Sequence, residues 1–126
     1  MATKNNAQIN VEIERVAKLW KAYGMRFARR ILAAHECAEL GSVTQAEWLL
    51  AKRFAVKEAF GKAIGTGLRH PVTWTRIGLV HDNLGRPQLK LHAEICSLLS
   101  ERGINRHHVS IADERHFASA IVILES

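Results

Sequence analysis

Phe54-Ala-Val-Lys-Glu-Ala-Phe-Gly-Lys-Ala-Ile-Gly-Thr-Gly67 sets the fold and holds most of the candidate chemistry. At about 100° per residue, Leu49, Val56, Phe60 and Ala63 share one apolar face of a helix, with Ala59 at its margin. Glu58 projects nearly opposite that face, and Lys62 follows one turn later. Ala51, Phe54, Ala55 and Gly65 surround the pair, so mostly small side chains line the charged side. Small neighbours leave room for a ligand to approach. A plainer reading also fits, because an acid followed four residues later by a lysine is a common surface ion pair. Glycine at 65 and 67 is likewise a usual helix terminator. Spacing alone leaves both readings open.

Outward from this helix, the pattern is mixed. Residues 12–23 have helical periodicity, with Ile13, Val16, Leu19, Trp20 and Tyr23 on one stripe, closed by Gly24. Residues 25–32 and 34–40 read as two shorter helices, the second closed by Gly41. Thr44-Gln-Ala-Glu47 is a capping box that starts the long helix near Gln45, and the helix runs to Ile64. Residues 74–81 favour a strand, weakened by Gly78. Asp82-Asn-Leu-Gly-Arg-Pro87 signals a turn, with 88–91 as the partner strand. A helix over 93–102 and a hairpin of strands 107–112 and 117–124 complete the chain. Residues 1–10 lack the alternating apolar pattern of an inner strand. The expected architecture is one α+β domain spanning 1–126, with a long central helix packed on an antiparallel sheet.

Composition narrows the function. The chain has 126 residues, 48% of them hydrophobic and 24% charged, as ordinary globular proteins do. No apolar run approaches membrane-spanning length and the first ten residues lack a signal-peptide core, so a cytoplasmic location is expected. Cys37 and Cys96 stand apart without metal-ligand spacing and read as buried structural thiols. The formal net charge is +6. It is concentrated between residues 12 and 30, where Arg15, Lys18, Lys21, Arg26, Arg29 and Arg30 face only Glu12 and Glu14. Such a segment attracts polyanions. Nucleic acid is a poor fit, because aromatics are only 6% of the chain and do not alternate with the bases. An acidic protein surface is the other candidate.

Arg53-Phe-Ala-Val-Lys-Glu-Ala-Phe-Gly-Lys62, followed by Gly65-Thr-Gly67, resembles the second signature of the holo-acyl-carrier-protein synthases, the small bacterial 4'-phosphopantetheinyl transferases. Val11-Glu-Ile-Glu-Arg-Val16, Phe27-Ala-Arg-Arg-Ile-Leu32, Leu84-Gly-Arg-Pro87 and His108-Val-Ser-Ile-Ala-Asp-Glu-Arg115 keep the family's order. The resemblance implies Mg²⁺-dependent transfer of 4'-phosphopantetheine from coenzyme A to a serine of acyl carrier protein, in support of fatty acid biosynthesis. It implies Glu58 as metal ligand and catalytic group, and Lys62 as the group that neutralises the departing adenosine 3',5'-bisphosphate. Arg53 and Lys57 would hold coenzyme A phosphates, and Gly65, Thr66 and Gly67 would bring backbone N–H groups to phosphate oxygens.

Asn83, Gly85 and Pro87 match a turn that the family places beside the adenine from a neighbouring subunit. Read as residues alone, they are a hairpin turn. His108 opens a strand that borders the site by resemblance and is otherwise a structural histidine. Arg15, Lys18, Lys21, Arg26 and Arg29 would dock the acidic carrier, and the resemblance implies a homotrimer with sites between subunits.

One departure stands out. The family's first signature ends in an aspartate, the second metal ligand, at the position of Ile9, and no carboxylate precedes Glu12. Either Asn10 supplies an amide oxygen after a one-residue shift, or an otherwise standard enzyme has an altered N-terminus, or the chain is an impaired relative that binds carrier protein without efficient transfer.

Overall fold

The computed structural model describes residues 4–126. Its elements in chain order are β1 (Lys4–Glu12), α1 (Ile13–Tyr23), α2 (Met25–Ile31), α3 (Ala34–Leu40), α4 (Ala46–Ile64), a 3-10 turn (Trp74–Arg76), β2 (Ile77–His81), β3 (Pro87–Leu91), α5 (Ala93–Glu101), β4 (Arg106–Asp113) and β5 (Phe117–Glu125). Two antiparallel sheets form, one of order β1-β5-β4 and one of β2-β3. The α+β expectation, with a long central helix on an antiparallel sheet, is met.

Helix α4 is more deeply enclosed than a single apolar stripe requires. Leu50, Ala51, Ala55, Val56, Ala59, Phe60, Ala63 and Ile64 are all buried, covering most of its circumference. Its main packing partners are β5 and β1, with α1 on another side. Ala51 and Ala55 therefore do not open space for a ligand as expected; they are fully buried within the core. Burying a side chain such as Phe60 contributes roughly 1.5–3 kcal/mol.

Strand β1 corrects the reading of the N-terminus over its described residues. Ala7, Ile9 and Val11 turn inward while Gln8 and Asn10 turn outward, a period-two pattern masked in sequence by the polar start at Asn5 and Asn6. In this chain β1 is an edge strand, which demands fewer apolar residues than an inner one. Its register pairs Ile9 with Ala120 and Asn10 with Ser119.

Smaller differences have local causes. The Thr44 capping box does not form, since Gln45 is the N-cap and makes no side-chain capping bond. Residues 74–76 take a 3-10 turn before β2 begins. Tyr23, expected on the buried stripe of α1, is exposed at the helix end, and Cys96 is an exposed free thiol. Among the described residues, no helix is long and apolar enough to cross a membrane.

Candidate active site

The C-terminal end of α4 is held by its own backbone. Gly65 takes φ +88°, and its N–H donates to the carbonyls of Gly61 and Lys62. The chain then folds back so that the Gly67 N–H also donates to the Gly61 carbonyl at 3.0 Å. That return is possible because residue 61 has no side chain: a Cβ there would stand 3.0 Å from the Gly67 carbonyl carbon. Gly61 was not singled out from the sequence, although a glycine in the last turns of a long helix signals such an approach.

Glu58 and Lys62 project beside this turn. Together with Ile9, Gly65, Gly67 and Leu68 they line a cleft of about 350 Å³. Glu58 is half-buried and Lys62 exposed. The expected surface ion pair is absent: neither side chain has an ion-pair or hydrogen-bond partner among the described residues. A carboxylate and an ammonium one helical turn apart, both unengaged, leave their full hydrogen-bonding capacity for a ligand.

Two of the three turn N–H groups are not available in the way expected. Those of Gly65 and Gly67 cap the helix. The Thr66 and Leu68 N–H groups have no acceptor among the described residues, and the Thr66 hydroxyl donates to the Gly67 carbonyl. Of these two, Leu68 lines the cleft and Thr66 does not. Sequence reasoning missed Leu68.

Lys57 and Arg53 occupy the other side of α4. Lys57 is completely buried, and its ammonium donates to Glu36 at 2.6 Å, to the Trp74 carbonyl at 2.9 Å and to the Ile31 carbonyl. It has no surface to offer a coenzyme A phosphate, which corrects that expectation. Arg53 is 5% exposed and donates to Glu36 at 2.9 Å and Glu39 at 2.8 Å. Its remaining edge lines a separate cavity of about 390 Å³ with Lys52, Trp48 and His81.

Glu36 holds this cluster together. It accepts from the Ala33 N–H at 2.8 Å and the Leu79 N–H at 3.3 Å as well as from both cations, so one carboxylate joins α3, α4 and β2. The two partners pull in opposite senses. Burial alone would raise the Glu36 carboxyl, but Lys57, Ala33 and Arg53 outweigh it and hold it below the ordinary carboxylate range. Burial also lowers the Lys57 ammonium, against the pull of Glu36. The carboxylate direction carries more weight, because four donors converge on it.

The remaining candidates lie outside the cleft. Asn83 and Gly85 belong to the β2–β3 turn, where Asp82 accepts from the Leu84 and Arg86 N–H groups, and Pro87 opens β3. His108 sits on β4, 3.0 Å from the Glu125 carboxylate. Arg15, Lys18, Lys21, Arg26 and Arg29 are all exposed. Arg26 and Arg29 border a groove of about 960 Å³ with Tyr23, Phe27 and Trp74, while the other three lie on α1 beside it.

Asn10 does not replace the missing carboxylate. Its side-chain oxygen accepts from the Ser119 hydroxyl at 2.7 Å, on the sheet face opposite Ile9. Among the described residues, no group of three or more His, Cys, Asp or Glu side chains could hold a metal by itself. Glu58 is the one carboxylate lining the cleft. That suits a cation such as Mg²⁺, which takes one or two carboxylates and completes its shell with phosphate oxygens and water.

Known proteins resemble this chain in sequence and fold. The family model of the 4'-phosphopantetheinyl transferase superfamily matches residues 8–118. The holo-[acyl-carrier-protein] synthase of Nitrosospira multiformis is 51% identical over 115 residues, covering 91% of this chain and 92% of its own. Among solved structures, the holo-[acyl-carrier-protein] synthase of Neisseria meningitidis superposes with a TM-score of 0.93 at 38% identity, covering 97% of this chain and 98% of its own. The synthase of Bacillus anthracis, solved in complex with CoA (3',5'-ADP), gives 0.81 at 30% identity, with 97% and 96% coverage. The unpaired Glu58 and Lys62 beside a glycine turn thus sit in a chain that belongs to the 4'-phosphopantetheinyl transferase superfamily.

Proposed function

We infer that the chain transfers 4'-phosphopantetheine from coenzyme A to a serine of apo acyl carrier protein, releasing adenosine 3',5'-bisphosphate. The observation that carries this reading is the unengaged Glu58–Lys62 pair in one cleft with the Gly65–Leu68 turn, where Leu68 keeps an N–H without an acceptor among the described residues. The serine oxygen attacks the phosphorus bound to pantetheine, and the pyrophosphate bond to the adenosine bisphosphate breaks. Glu58 orients the hydroxyl and accepts its proton. Lys62 neutralises the departing phosphate, where negative charge grows in the transition state. Mg²⁺, when bound at Glu58, polarises the pyrophosphate oxygens. Arg53 would meet the 3'-phosphate in its own cavity by exchanging its contact with Glu39.

Further features support a homotrimer with sites between copies. Ala118, Ala120, Val122 and Leu124 of β5 turn into the core, leaving Phe117, Ser119, Ile121 and Ile123 on the outer face of the sheet. Phe117 and Ile121 are 36% and 38% exposed, an apolar surface that a second copy would cover. Asn83, Gly85, Pro87 and His108 do not line the Glu58 cleft of their own chain, which suits a contribution to a neighbour's site. The exposed bases of α1 and α2 complement an acidic carrier. Such an enzyme would serve fatty acid biosynthesis in the cytoplasm. The alternative of an impaired carrier binder finds no support in relatives that are named synthases.

Incubation of the chain with coenzyme A, Mg²⁺ and apo carrier protein tests the reading by mass spectrometry. The carrier should gain one phosphopantetheine. A carrier of unchanged mass, with the chain folded, would refute it.

A further inference from the structure

We propose that this chain takes up its divalent cation together with coenzyme A and not before it, because the substrate pyrophosphate supplies oxygen ligands that the cleft itself lacks. The proposal rests on the transferase reading and concerns the order in which that site fills.

The supply of oxygens in the cleft is short. An octahedral Mg²⁺ needs six at about 2.0–2.1 Å. Glu58 offers two at most. Ile9 and Leu68, which share the cleft, offer no side-chain oxygen. Among the turn residues that line the cleft, the Lys62 and Gly67 carbonyls are committed. Those of Gly65 and Leu68 have no donor among the described residues, but as neutral oxygens they leave the shell short of charge. The Gly61 and Lys62 carbonyls accept from the capping N–H groups, Ile64 accepts from Arg102, and Gly67 accepts from Thr66 and Arg69. Asn10, next to Ile9, spends its amide oxygen on Ser119 across the sheet.

Electrostatics act in the same direction. Lys62 brings a positive charge one helical turn from Glu58, and the formal net charge of the chain is +6. A lone half-buried carboxylate beside an ammonium is a weak cation site. Once a pyrophosphate lies in the cleft, the balance reverses: its charge offsets Lys62 and its oxygens stand beside Glu58. Binding of cation and coenzyme A then becomes mutually reinforcing, and the coupling is the same in either direction. Position 9 controls this order. An acid there would make a cation site that fills alone.

Electron paramagnetic resonance of Mn²⁺ tests the order, with coenzyme A binding followed separately by calorimetry. The wild-type chain should leave the free Mn²⁺ signal unchanged up to about 1 mM, a range in which a preformed two-carboxylate site would fill. With coenzyme A present, it should hold Mn²⁺ at least about tenfold more tightly than coenzyme A does without protein. Ile9→Asp should take up Mn²⁺ without coenzyme A. Glu58→Gln should bind coenzyme A in metal-free buffer yet lose the protein's enhancement of Mn²⁺ binding. Stoichiometric Mn²⁺ uptake by the wild type alone would overturn the proposal. So would a folded Ile9→Asp chain that gains nothing. Coenzyme A binding without enhanced Mn²⁺ binding overturns the proposal but leaves the transferase reading standing, whereas no coenzyme A binding overturns both.

Discussion

The Lys57 ammonium lies 2.6 Å from the Glu36 carboxylate, while the next residue along the same helix, Glu58, faces the open cleft with no partner among the described residues. Adjacent charges on α4 thus serve opposite ends, one locking the interior and one left for a ligand. Removing one member of a buried pair leaves the other uncompensated and costs about 3–5 kcal/mol. Glu36→Ala should therefore lower the unfolding free energy by about that amount in urea denaturation. The double variant Glu36→Leu/Lys57→Met should recover part of it. An unchanged denaturation midpoint in Glu36→Ala would show that the cluster contributes little.

The same carboxylate sets an acid limit. The folded-state pKa of Glu36 lies below its unfolded value, so between the two the unfolded chain binds more protons. The stabilisation is fully present above the ordinary carboxylate range, about 4.3, and is lost as pH falls through the folded pKa. Wild type should lose stability on acidification from about pH 5 downward, and Glu36→Gln should show a shallower dependence over that range. Parallel curves would remove Glu36 as the cause.

Gly61→Ala tests the turn. In an ordinary helix interior this change stabilises by roughly 0.5–1 kcal/mol. Here the new Cβ meets the Gly67 backbone at 3.0 Å, and that neighbour is main chain held by a hydrogen bond to residue 61 itself. The melting temperature should therefore fail to rise. kcat/KM should fall by about tenfold or more, because the Leu68 N–H group moves with the turn. A stabilised variant of full activity would contradict the tight approach.

Glu58→Gln and Lys62→Ala should each lower kcat by about 10²–10³, the usual cost of removing one group that faces developing charge. Neither side chain supports the fold through an ion pair among the described residues, so stability should stay within about 0.5 kcal/mol of wild type. Circular dichroism melts alongside steady-state rates separate the two effects. Loss of stability with rate preserved would reverse the assignment.

Docking makes a different prediction. Arg26→Glu and Arg29→Glu, both at the rim of the basic groove, should raise KM for carrier protein by about tenfold while changing kcat little. Added salt should narrow the gap to wild type by screening these exposed charges. A KM unmoved by either reversal would place the docking surface elsewhere.

Much of this was legible in the sequence for identifiable reasons. The period of α4 and its glycine stop fixed the helix within a residue or two, and Asp82-Asn-Leu-Gly-Arg-Pro87 marked the β2–β3 turn. Spacing put Glu58 and Lys62 one turn apart but left a surface ion pair open, the resemblance implied their roles, and their lack of a partner was visible only in three dimensions. Lys57 misled because its acceptor, Glu36, lies 21 residues away and no local pattern links them. Strand β1 was obscured because Ala7 carries little hydrophobic signal, although packing against α4 makes a small residue suitable there. The contact between Gly61 and Gly67 was not legible, because nothing in the local pattern shows that the chain folds back on residue 61.

The central claim is that Glu58 and Lys62 together face the phosphates of coenzyme A. A crystal structure with coenzyme A and Mg²⁺ tests it most directly. The account predicts Glu58 as a ligand of the metal on the pyrophosphate, with the Lys62 ammonium within hydrogen-bond distance of a phosphate oxygen on the adenosine side. A pyrophosphate seated elsewhere, with both side chains still facing solvent, would contradict it.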